Sequence, residues 1–198
     1  MNYIAHLHLA KHSGTSLVGN FLGDFVKGQA FLTLPFDWQQ GIRLHRAVDS
    51  FTDSHPLLVQ LKPLFSADVR RFAGIGLDIY FDHLLVTGSW QNWSEWQMLF
   101  AQFYRELGNA QLQDNPRFTR SRQGLIEHQW LDEYQYAEQC LHSFKAVERR
   151  FRSGVSFAYA LYAQMRQHHE KIEATFAQFY PELMEFVEQQ VQQDVYAK

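Results

Sequence analysis

The sequence predicts an all-α fold, and three features carry the prediction. Apolar residues recur mostly at three- and four-residue intervals rather than alternating. Only five prolines and eleven glycines interrupt that pattern. Side chains suited to helix capping stand before several of the apolar runs. At 198 residues, the chain is long enough for one well-buried core and short for two, so a single all-helical domain over 1–198 is expected.

The elements follow in order. In SLVGNFLGDFVKG, Leu17, Phe21 and Phe25 lie four apart on one stripe, and Gly28 offers a stop, which predicts a helix over 16–27. After Pro35, Asp37 with Gln40 three residues on forms a capping box for a helix over about 38–53. Ser66 can cap a long helix through DVRRFAGIGLDIYFDHLLVTG, where Gly74 and Gly76 allow a kink or a close approach. Ser94 and Gln97 form another capping pattern before WQMLFAQFYREL, and helices are expected over roughly 121–152, 155–179 and 181–195. Residues 108–120, with Asn115 and Pro116, are the clearest loop, either a plain connection or a lid.

Composition removes several classes of function. Hydrophobic residues at 46% and aromatics at 16% exclude a disordered chain, and no repeat or low-complexity run is present. A net charge of −3 excludes a basic nucleic-acid coat but permits a local basic patch. One cysteine, Cys140, excludes a disulfide framework and suits a reducing, cytoplasmic setting. No segment approaches the ~20 apolar residues of a membrane span, and MNYIAHLHLAKHSG is too short and too interrupted for a signal peptide, so no membrane association is expected. Oligomeric state stays open.

The polar residues are more informative. On the helix over 38–53, His45, Asp49 and Asp53 are spaced four apart and form a ladder along one edge. Such a ladder can bind a divalent cation or be an ordinary solvated face. Asp78 and Asp82 repeat the spacing in GLDIYFDHLLV, with His83 next to them, in a run so apolar that unpaired carboxylates would be costly. Asp24 sits inside FLGDFVKG, where pairing with Lys27 is its simpler role. His6 and His8 lie in AHLHLA, where a hydrogen-bonded core histidine is the simpler reading. Acidic and His-bearing positions on several helices are how helical bundles build metal centres in their cores. With no thiolate cluster, Mn²⁺, Mg²⁺ or Fe²⁺ suits the set better than structural zinc, and hydrolysis of a phosphate ester is the chemistry such a centre serves. Cys140 with His142 does not make a thiol site, because residues two apart on a helix do not face each other.

The blocks NYIAHLHLA, GNFLGDFVKG, GIRLHRAVDSFTDSH and DIYFDHLL, with the aromatic-rich FAQFYPELM near the C-terminus, resemble the acyl carrier protein phosphodiesterases. The resemblance covers essentially the whole chain. It implies removal of the 4′-phosphopantetheine arm from holo acyl carrier protein, Mn²⁺ as the metal, and an all-helical fold distantly related to the HD phosphohydrolases. The chain departs from the usual HD order, having Asp82-His83 where those enzymes have an adjacent His-Asp. The ligands expected on this basis are Asp24, His45, Asp49, Asp78, Asp82 and His83, with His6 and Asp53 behind them. His45 and Asp49 are the expected catalytic pair. An acidic helical carrier calls for a basic rim, for which Lys27, Arg43, Arg46, Arg70 and Arg71 are the candidates, Arg46 also as a phosphate contact. A small phosphoester or nucleotide is the alternative substrate for the same residues.

Overall fold

A computed structural model describes residues 1–151 and 154–196, and every regular element among them is helical. The fold is an all-α bundle. No helix among the described residues is long and apolar enough to cross a membrane.

At its centre lies α1 (Tyr3–Ser13), a helix that the three-and-four spacing does not predict. Ile4 through Ala10 are all buried, histidines included, so there is no polar face to reveal the period. Its last turn closes on Gly14 in the left-handed conformation, whose N–H reaches the Ala10 and Lys11 carbonyls. Its first turn has no cap from Asn2; Asp82, far along the chain, accepts from Ile4 and Ala5 N–H instead.

α2 (Leu17–Leu22) starts as expected, with Ser16 Oγ accepting from Gly19 N–H at 3.0 Å, but it stops well before residue 27. From Asp24 to Gly28, carbonyls are taken by side chains: Arg117 on Asp24, Asn115 on Phe25, and Arg46 on Val26 and Gly28. These contacts replace helical hydrogen bonds and let Phe25 turn into the core against Phe21 and Phe118.

α3 (Phe36–Ser54) covers the predicted span and adds a little at each end; Pro35 precedes it, and Asp37 lies in its first turn instead of capping it. α2 and α3 touch backbone to backbone: a Cβ added at Gly41 would lie 2.5 Å from the Asn20 nitrogen, so only glycine permits this crossing.

A short α4 (Pro56–Val59) and two 3₁₀ turns lead into α5 (Ala73–Thr87). Ser66 is not its cap, because Ser66 is bonded to Gln164 through both its N–H and its hydroxyl. Gly76 makes the close approach, against Leu161 and Met165.

α6 (Trp93–Asn109) is capped by Asn92 with Glu95 in a full capping box, two residues earlier than Ser94 with Gln97. Asn115 caps α7 (Pro116–His128), so the expected 108–120 loop shortens to residues 110–115. A 3₁₀ turn over Trp130–Gln135 separates α7 from α8 (Glu138–Glu148). The last expected break, near residue 180, falls instead at His168, between α9 (Ala158–Gln167) and α10 (His169–Tyr196). Pro181 stays inside α10 because Phe179, Tyr180 and Leu183 are fully buried around it, and their packing outweighs the lost hydrogen bond.

Candidate metal centre

α3 supplies two donors one turn apart, and α1 supplies the third. His45 Nε2 lies 3.1 Å from Asp49 Oδ2, and His6 Nε2 lies 3.1 Å from Asp49 Oδ1, so one carboxylate bridges two imidazoles. The two rings stack at 4.0 Å with 18° between their planes. Gly23 sets this geometry from α2's end: a Cβ there would stand 2.2 Å from His45 Cγ, so the backbone lies flat against the ring.

Among the described residues, His6, His45 and Asp49 are the group whose donor atoms could share one ion, all within 4.8 Å of one another. Both imidazoles are buried while the Asp49 side chain is 40% exposed, so the cluster opens to solvent on the carboxylate side.

The electrostatics suit a cation. Burial, then the charge of the neighbouring His45, holds His6 down at about 3, so it is neutral and keeps a lone pair. Burial alone would raise Asp49, but hydrogen bonds from His45 and His6 and nearby positive charge hold its carboxyl far below the usual range. His6 Nδ1 and His45 Nδ1 are buried without a partner, so no second hydrogen bond fixes either tautomer. The two imidazoles, His6 held neutral, and an ionised carboxylate fit a borderline divalent ion.

The other expected residues are distributed around this cluster. Asp78 faces Asp49 across the α-ammonium of Met1, which lies 3.3 Å from each carboxylate; burial outweighs that positive charge, and the Asp78 carboxyl is raised. Asp53, a turn beyond Asp49, is exposed and acts on Asp78 through its charge. Asp82 is completely buried and gives both oxygens to α1: Oδ2 accepts from Ile4 N–H at 3.0 Å and Asn2 Nδ2 at 2.9 Å, and Oδ1 accepts from Ala5 N–H at 2.9 Å. Burial raises Asp82 to about 7 against the pull of those donors. His83 Nδ1 pairs with the Tyr134 carbonyl at 2.7 Å, away from Asp49. Asp24 is half-buried in the turn after Gly23 and acts by charge on the Tyr3 hydroxyl.

Of the basic residues, Arg46 is bonded to Val26 and Gly28 and, with Arg43, lies over the Phe31 ring. Lys27, Arg70 and Arg71 are exposed, Arg70 bonding the Phe65 carbonyl and Arg71 lying over Phe72. Cys140 is buried near the Ile79 carbonyl, and burial pushes its thiol up.

The family profile described as "Acyl carrier protein phosphodiesterase" matches residues 1–183. This chain belongs to the acyl carrier protein phosphodiesterase family. The relative of that name from Photorhabdus laumondii subsp. laumondii is 36% identical over 195 residues, spanning 95% of this chain and 96% of its own. Those from Enterobacter sp. (strain 638) and Escherichia coli O45:K1 are 33% and 34% identical, each match spanning 93% of this chain and 96% of the relative. No solved structure matches the chain.

Within this phosphodiesterase family member, sequence reasoning missed Gly23, Asn2 and Tyr134. Only Gly23 left a signal, a glycine directly before Asp24 inside an otherwise helical pattern.

Proposed function

We propose that this protein is a metal-dependent phosphodiesterase that removes 4′-phosphopantetheine from holo acyl carrier protein, releasing apo carrier. The observation that carries the reading is the His6–Asp49–His45 cluster, two buried imidazoles on one carboxylate, in a chain of this family. His6, His45 and Asp49 are the residues that would hold the ion, with Mn²⁺ as the expected one and Mg²⁺ or Fe²⁺ as possible substitutes. Bound there, a divalent ion supplies Lewis-acid polarisation of a phosphoryl oxygen and a lowered pKa for water.

The chain's own residues do the rest. Asp49 orients both imidazoles and presents the open side of the cluster to the phosphodiester. The His45 imidazole, whose Nε2 lies 3.1 Å from Asp49 Oδ2, is the group placed to pass a proton to the departing serine oxygen. Asp78 adds negative charge beside Asp49, Asp82 fixes the start of α1 and so the height of His6, and His83 ties α5 to the Tyr134 turn. Asp24 acts by its charge on the Tyr3 hydroxyl. Lys27, Arg43, Arg70 and Arg71 form the rim offered to an acidic carrier, whereas Arg46 is committed to the turn after α2. An all-helical frame with His and Asp donors from separate helices is consistent with a distant relationship to the HD phosphohydrolases.

The test is mass spectrometry of holo acyl carrier protein incubated with the protein and Mn²⁺, beside EDTA-treated and Asp49→Ala samples. Loss of the pantetheine arm only in the metal-replete wild type is expected. Intact holo carrier together with hydrolysis of a nucleotide or another small phosphoester would transfer the reading to the small-substrate alternative.

A further inference from the structure

A cavity of about 340 Å³ opens between α7, α8 and the start of α1, apart from the three metal-site donors. Its rim carries the exposed cationic side chains Arg120 and Arg150 and the exposed His142. Among the described residues lining it, none is acidic. Farther in, amide and hydroxyl groups of Asn2, Gln139, Ser121 and Ser143 alternate with the apolar surfaces of Leu125, Trp130 and Val147. Apolar walls with a few placed polar groups mark a small-molecule site, and the volume lies at the low end of the usual range, enough for one slender ligand.

The cavity and the metal site share a helix. Tyr3 forms part of the cavity wall and meets Trp130 in a tilted ring contact at 5.6 Å, and His6 follows one turn later on α1. Asn2, at the cavity floor, bonds both Asp82 and the Tyr134 hydroxyl. Charge from Asp24, Arg150, Arg117 and Asp82 acts on the Tyr3 hydroxyl, so this wall of the cavity lies within reach of Arg150.

We propose that this cavity is the subsite for the phosphopantetheine arm, with the phosphate end on the Tyr3–Arg150 side and the amide-bearing arm along Trp130, Gln139 and Ser143. This inference rests on the function proposed above. The ligand chemistry is an anionic head on a linear chain of amides. Arg120 and Arg150 match the head through planar paired N–H groups, the side-chain amides and hydroxyls match the peptide-like links, and Trp130 and Val147 match the methylenes and geminal methyls.

Gly124 provides a selective probe. It lines the cavity on α7, and a Cβ added there meets no atom within 4 Å. Leucine at this position projects into the cavity while favouring the helix over glycine. The experiment is isothermal titration of 4′-phosphopantetheine, pantetheine and AMP into the full chain, paired with kcat/KM on holo carrier. The variants are Gly124→Leu and Arg120→Gln/Arg150→Gln, with Gly108→Leu, an equally open glycine outside the cavity, as the control.

The expected result is binding of 4′-phosphopantetheine by the wild type, at least tenfold weaker in Gly124→Leu and in the double arginine variant, with a matching rise in KM. Gly108→Leu should match the wild type. Absence of 4′-phosphopantetheine binding, equal binding by Gly124→Leu and wild type, or tighter binding of AMP would overturn the subsite. The two readings separate cleanly. Wild type that binds the arm in this cavity but leaves holo carrier intact overturns the proposed activity alone. Wild type that cleaves holo carrier while Gly124→Leu cleaves and binds equally well overturns the cavity alone.

Discussion

Asp49 and Asp82 are both carboxylates set in helices and both beside a histidine-bearing stretch, but the molecule satisfies them differently. Asp49 is held by side chains, the Nε2 atoms of His6 and His45, and is partly open to solvent. Asp82 is held mainly by backbone, the N–H groups of Ile4 and Ala5, with help from Asn2, and is sealed from solvent. A carboxylate that accepts from imidazole side chains can exchange those contacts for a cation shared with the same rings. One consumed by the free N–H groups of a helix start completes the backbone and adds a favourable charge at the positive end of the helix dipole. What surrounds a carboxylate therefore separates chemistry from architecture better than the residue type does.

The comparison breaks most severely if Asp49 can be spared. Asp49→Ala is expected to lower Mn²⁺-dependent hydrolysis of holo carrier by more than about 100-fold and to weaken Mn²⁺ binding in a titration, with circular dichroism unchanged. Retained metal binding would remove the cluster from the mechanism. Next comes Gly23→Ala, whose new methyl must push His45 aside. A displacement near 1 Å predicts a loss in kcat of roughly 100-fold without global unfolding, and normal kcat would show that the His45 position is soft.

Asp82→Ala should act on the other side of the comparison. It strips two buried N–H groups and the Asn2 amide of their acceptor, and a loss of about 3 kcal/mol in urea unfolding is expected. Asp49→Ala should cost less than about 1 kcal/mol in the same measurement, because its carboxylate is half in water. Equal destabilisation of the two variants would erase the distinction.

The dependence of stability on pH sharpens the contrast further. His8 is buried and bonded to the Tyr180 hydroxyl at 2.7 Å; burial, then the charge of His12, lowers it to about 4 from an ordinary 6.5. Between those values the unfolded chain takes up a proton that the folded chain refuses, so stability falls as pH drops from about 6.5 to about 4, at up to about 1.4 kcal/mol per pH unit. Asp82, raised to about 7, has the opposite sign: the folded chain keeps its proton longer, so its contribution falls as pH rises from about 4 to about 7. Replacing His8 with Phe should therefore flatten the acid-side loss in unfolding midpoints measured from pH 7 to 4. An unchanged slope would mean that His8 is protonated in the fold.

How much of this was legible depends on how local each signal is. The all-α class, α3 and the His45–Asp49 spacing lie within single helices, where a period of 3.6 and an i,i+4 relation are written directly in the chain. The start of α2 is local in the same way, carried by the Leu17–Phe21 stripe. α1 was hidden because burial on every side erases the amphipathic pattern, and the Ser66 and Ser94 caps failed because Gln164 and the Asn92–Glu95 box took those roles.

The sequence by itself determined the helical class, the residue types available for a divalent ion and the one-turn pairing on α3. Only the tertiary structure decided that His6 joins that pair from 43 residues away, while Asp82, 78 residues from Ile4, anchors the backbone of the helix that carries His6. Helix periodicity fixes neighbours within a turn. Which distant groups share a buried polar site is settled by packing, because every desolvated donor and acceptor must find whatever partner the closed core brings within reach.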